Sequence, residues 1–122
     1  MKLFLAIAGV LAWLFGAALL LAPGQFYAPT GITLTPLLAT LAQAHGATLI
    51  GLGTINWLAR RAEKRVLAAV LTGNLVVQLA SLGVVLRTMS LGAGMAVAPG
   101  VIIHVALASL FGFFLVEARR LA

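Results

Sequence analysis

Two histidines, His45 and His104, are the residues of this chain best suited to chemistry. Each lies inside an apolar run, nine residues in from Pro36 and five in from Pro99. A helical rise of 1.5 Å per residue places both roughly 8 to 14 Å below the same membrane face. Two imidazoles at similar depth on separate helices are an arrangement that ligates a haem iron axially. Gly46 and Gly100 beside them would leave room for a flat macrocycle, and Arg87, expected at the outer interface, would meet its propionates. A single histidine with a small residue four positions earlier, as Gly100 precedes His104, equally suits the magnesium of a chlorin. The same two rings would also serve as plain hydrogen-bonding groups to neighbours such as Gln78 or Ser81, so a tetrapyrrole and ordinary helix pairing both remain open.

A second polar feature is the stripe Asn74, Gln78, Ser81 and Thr88, which falls within a narrow arc at 3.6 residues per turn. On an apolar helix such groups turn away from lipid, towards neighbouring helices or a cavity. They fit interhelical hydrogen bonding, a lipophilic cofactor site, or the path of a carrier or channel for a small or lipid-like solute. Catalysis finds no such support. The two acidic residues, Glu63 and Glu117, stand outside the apolar runs or at their edge, so neither histidine has a carboxylate partner there. A proton-coupled exporter, which would keep a carboxylate within the membrane, is disfavoured for the same reason. With no cysteine, thiol chemistry and thiolate metal sites are excluded, and no catalytic or metal-ligating set is expected.

The elements that would carry these residues follow from composition. Of 122 residues 63% are hydrophobic and only 8% charged, against about a quarter charged in soluble domains. Four apolar runs, at about 3–22, 36–59, 66–88 and 99–117, are each long enough to span a bilayer, which takes about 20 residues. The fold class expected is therefore all-α: one transmembrane domain over 1–122, a four-helix bundle running up-down-up-down. Pro36 sits at a favoured first helical position, while Pro23 to Thr35, with Phe26 and Tyr27, reads as an ordered external loop. Seven of the eight basic residues (Lys2, Arg60, Arg61, Lys64, Arg65, Arg119 and Arg120) fall on one side, and Arg87 alone on the other. By the positive-inside rule both ends are cytoplasmic. The net charge of +6 does not mark a nucleic-acid binder, because the cations stand between apolar runs and do not line one exposed face.

Small residues at spacing four point to contact faces between helices in lipid: Ala8, Ala12 and Gly16 in the first run, Ala42 with Gly46 and Ala47 with Gly51 in the second, and Gly100, then His104, Ala108 and Gly112 in the fourth. Through Ala44-His45-Gly46-Ala47-Thr48-Leu49-Ile50-Gly51-Leu52-Gly53, then Asn56-Trp57-Leu58-Ala59-Arg60, the chain resembles small bacterial four-helix membrane proteins of the DoxX-like kind. The likeness extends over the whole chain and is architectural. It implies fold and a bacterial inner-membrane location, since such families share no biochemical activity that could be carried onto particular positions. The functional expectation is a non-enzymatic accessory or assembly subunit of a larger membrane complex, or a homo-oligomer, with membrane lipids and other membrane subunits or itself as partners.

Overall fold

The computed structural model describes residues 1–120, which contain helices and short connections and no strand. The chain divides into two compact units, Met1–Arg61 and Ala62–Ala122.

The first unit is a helical hairpin. Helix α1, Lys2–Leu21, is a run of Leu, Ala, Phe and Ile that stops at Ala22, whose φ of −144° leaves the helical region. Pro23 causes the stop, because its ring crowds the residue before it out of the α conformation. Pro23 then opens a short helix, α2, Pro23–Tyr27, followed by a 3₁₀ turn at Ala28–Thr30. The segment expected as an ordered loop thus contains a helical corner, closed by Gly31 at φ 72°. Thr35 caps the next helix, its Oγ1 accepting from the Leu38 N–H at 3.3 Å, and Pro36 takes the first position of α3, Pro36–Ala59.

Helices α1 and α3 pack antiparallel along glycines. A Cβ placed on Gly16 would stand 2.7 Å from the Gly46 carbonyl oxygen, and one on Gly46 2.6 Å from that of Gly16. Seven residues along, the same reciprocal approach joins Gly9 to Gly53, at 2.9 and 2.7 Å. Two heptad-spaced glycines on each helix therefore bring backbone against backbone, and the glycine Cα–H groups point at the facing carbonyls. Leu5, Ala8 and Leu19 of α1 and Ala42, Asn56 and Ala59 of α3 are the other buried positions, at spacings of mostly three, four and seven residues.

The second unit is a hairpin of α4, Lys64–Thr88, and α5, Ala98–Arg120. Helix α4 starts two residues before the expected 66, and α5 runs three beyond the expected 117. The corner between them is a π-helical turn at Met89–Ala93 and a 3₁₀ turn at Gly94–Val97. Two glycines make it possible: Gly92 at φ 114° and Gly94 at φ 55° hold conformations that side-chain-bearing residues rarely adopt. The pairs Val85 with Gly100 and Gln78 with His104 show that α4 and α5 run antiparallel.

Two stretches are long and apolar enough to cross a membrane, Lys2–Leu21 and Lys64–Arg120. The second, 57 residues in all, is divided by the corner at Gly92 and Gly94. Helix α3 is 24 residues long but falls short of the same apolar measure, its run interrupted by Gln43, His45 and Asn56.

Candidate functional site

In the second unit, Gln78 of α4 meets His104 of α5. His104 Nδ1 and Gln78 Oε1 lie 2.7 Å apart. An amide oxygen only accepts, so Nδ1 is the donor in this contact. One turn earlier the buried Asn74 donates from Nδ2 to the Val70 carbonyl at 2.9 Å, within its own helix. Gln78 is buried as well, whereas His104, Ser81 and Thr88 are half-buried. Thr88 donates to the Val84 carbonyl at 2.9 Å. Gly100, four residues before His104, has its open side filled by Val85, whose methyls lie 3.5 and 3.6 Å from where a Cβ would stand. Arg87 is exposed in the last turn of α4.

His45 belongs to the first unit and is exposed. Together with Tyr27, Ile32, Leu34, Leu38, Leu41 and Ala42 it lines a groove of about 300 Å³ between the helical corner and the start of α3. The groove is apolar apart from the phenol and the imidazole. Phe15, Phe26 and Tyr27 stack edge to face behind it, with ring centroids 6.0 and 5.3 Å apart. Among the described residues no three His, Cys, Asp or Glu side chains gather as a metal-holding cluster.

Of the small residues singled out by spacing, Gly16 and Gly46 meet each other, Ala8 is buried, and Gly51 and Gly112 have nothing within 4 Å of where a Cβ would stand. Ala12 and Ala108 are half-buried. Spacing four did not find Gly9 and Gly53; the signal that would have found them is the seven-residue interval repeated on both helices. Also missed was a cluster at the other end of the first hairpin. The Trp13 and Trp57 rings lie 5.4 Å apart, and Trp13 Nε1–H donates to Thr54 Oγ1 at 3.2 Å. The Arg60 guanidinium covers the Trp57 ring at 3.7 Å and donates to the Trp57 carbonyl. Asn56, 1% exposed, is the most buried polar residue described and lies within the quoted α3 segment.

No family model, curated protein or solved structure matches this chain.

What these arrangements do chemically is hold helices together. No buried side-chain nitrogen or oxygen among the described residues lacks a hydrogen-bond partner. The hydroxyls of Thr40, Thr48, Thr54, Thr72, Thr88 and Ser109 each donate to the carbonyl four residues back, at 2.8 to 3.1 Å.

Proposed function

We propose that the protein is a non-enzymatic membrane protein of four spans, with α1, α3, α4 and α5 each crossing once and both ends on the cytoplasmic side of a bacterial inner membrane. On this reading it serves as an accessory or assembly subunit of a larger membrane complex, or as a homo-oligomer, and belongs with small proteins of the DoxX-like kind. The observation that carries the reading is the exposure of large apolar side chains along every long helix. Leu14 of α1, Leu37 and Leu58 of α3, Val76 and Val84 of α4, and Ile102 and Phe113 of α5 are all more than half exposed. Only lipid or other apolar surfaces accommodate so many. The back-bonded threonines fit the same solvent, since a hydroxyl bonded within its own helix asks nothing of the lipid.

The chain has no cysteine, so single cysteines report sidedness without background. With Ala62→Cys and Thr33→Cys tested separately in oriented membranes, an impermeant thiol reagent should label the first from the cytoplasmic side and the second from outside. Labelling of both from one face would sink the topology. The subunit role is tested by purification from native membranes in mild detergent; a lone monomer with nothing attached would remove it.

The Nδ1 donation of His104 favours a second reading, a tetrapyrrole or other lipophilic cofactor. Metal-ligating histidines characteristically donate their other ring nitrogen in this way. Absence of a Soret or chlorin band after incubation of the purified protein with haem or chlorin would remove it. A carrier or channel along Asn74, Gln78 and Ser81 is a third possibility, and it would be lost if solute flux in proteoliposomes survived alanine at all three.

A further inference from the structure

We infer that the Lys2 end of the first hairpin is a binding site for one anionic phospholipid, with the phosphate held by Lys2 and Arg60 and an acyl chain lying in the groove beside Trp57. This rests on the membrane reading and names the lipid class it favours. The groove, about 240 Å³, is lined by Ala6, Ile7, Val10 and Leu11 of α1 and by Trp57 of α3. Lys2 stands four residues before Ala6 and eight before Val10, on the same face of α1. On the α3 side, the Trp57 backbone lies beside Gly9, and antiparallel packing carries the chain from there towards Lys2, so Arg60 arrives at the same end. Cation and groove are thus contiguous on both helices.

The cation is also held in position. Its guanidinium lies 3.7 Å over the Trp57 ring and is tied to the Trp57 carbonyl, while Trp57 itself packs against Trp13. A planar donor set fixed this way loses little freedom on meeting a phosphate. No counter-charge competes from within the unit, because residues 1–61 contain no Asp or Glu. Lys2 and Arg61 are exposed beside it, and Leu3 and Leu58, 73% and 68% exposed, adjoin the cations along each helix. That places the charge at the edge of the apolar band, where headgroups lie, and favours a lipid over an acidic protein or a nucleic acid.

The chain's two tryptophans, Trp13 and Trp57, sit at this site, so contact quenching of tryptophan by brominated acyl chains reads it directly. The full chain is reconstituted in mixed phosphatidylcholine and phosphatidylglycerol vesicles, with bromine on one lipid or the other. About fivefold preference per cation predicts that phosphatidylglycerol binds about 25-fold more tightly than phosphatidylcholine. Lys2→Gln combined with Arg60→Gln should remove that preference. Arg119→Gln combined with Arg120→Gln removes equal charge from the other hairpin and should leave it within about twofold of the original. Ala6→Leu, which fills the groove and keeps every charge, should weaken quenching by brominated phosphatidylglycerol. Equal quenching by the two lipids in the unaltered chain, or an equal fall in both charge variants, overturns the site. Quenching by neither lipid would instead remove the membrane reading.

Discussion

Adding one methyl group to Gly46 should open the first hairpin, while the same change at Gly51, five residues along the same helix, should not. At Gly46 the new Cβ would stand 2.6 Å from the Gly16 carbonyl oxygen, 2.8 Å from the Leu20 nitrogen and 3.0 Å from the Leu19 Cβ. The two nearest are backbone atoms of α1 and cannot swing aside as a side chain would. Restoring an ordinary contact near 3.4 Å requires the helices to part by about 0.8 Å, and a gap of that size forfeits a quarter to a half of each dispersion contact it opens. Overpacking of this kind costs about 1 to 3 kcal/mol, and each lost Cα–H···O contact adds about 0.5 to 1. The helical propensity gained by replacing glycine, at most about 1 kcal/mol, offsets part of this. The net expectation for Gly46→Ala is a loss of about 2 kcal/mol. Gly51→Ala meets nothing within 4 Å and should be neutral or stabilising by up to about 1 kcal/mol. Titration from mild detergent into sodium dodecyl sulfate, followed by near-ultraviolet circular dichroism of the Trp13 and Trp57 pair, measures both. Equal midpoints for the two variants would refute the glycine seam as what holds α1 to α3.

Three other outcomes follow from the same contacts. In a double-mutant cycle with Gln78→Leu and His104→Leu, the coupling should be about 0.6 to 1.7 kcal/mol, the range of interhelical hydrogen bonds in membranes, and a value of zero would mean that the 2.7 Å pair does not form. Trp13→Leu removes both the indole donor to Thr54 and the ring pair with Trp57, and should cost about 1 kcal/mol together with the near-ultraviolet signal; a preserved signal would show that the rings do not couple. Gly92→Ala forces a side chain into φ 114° at the corner of the second hairpin and should destabilise by about 1 to 3 kcal/mol, whereas Gly73→Ala, in the middle of α4 with open space around it, should not; thermal melts in detergent decide it.

The helices were legible because proline and apolar length mark them. Pro23 and Pro36 bound the first connection in the sequence as they do in the structure, and the ends of the long helices differ by at most three residues from the expected runs, those of α3 not at all. The helical corner at Pro23–Tyr27 was not legible, since five residues give no period to read. Contact faces were half legible. Small residues at spacing four pick out Gly16 and Gly46, but which glycine meets which depends on the register of two antiparallel helices, and no single helix encodes that. Gly9 with Gly53 is the case in point. The polar stripe was visible as a stripe, yet its use was not. Asn74 donates to the Val70 carbonyl and Gln78 accepts from His104, partners that a 3.6-residue period does not specify.

Polar bonds cross both hairpins, and close glycine contact is added in the first. In lipid, apolar side chains gain nothing by leaving the solvent for one another, so helices associate through close backbone contact or polar bonds. The first hairpin uses both, close glycine contacts at Gly9, Gly16, Gly46 and Gly53 and the hydrogen bonds from Trp13 to Thr54 and from Gln43 to the Leu20 carbonyl. The second uses the latter at Gln78 and His104, with Gly100 only in ordinary contact with Val85. Side chains that look chemical in the sequence are therefore engaged mid-helix in holding structure, His104 and Thr54 included. The charged and polar groups left facing outward are concentrated towards the helix ends: Lys2 and Arg61 at one end of the first hairpin, Arg87 at the end of α4, and His45 beside its groove near the start of α3. On the membrane reading proposed above, these ends are where headgroups or the extramembrane edges of neighbouring subunits would be met.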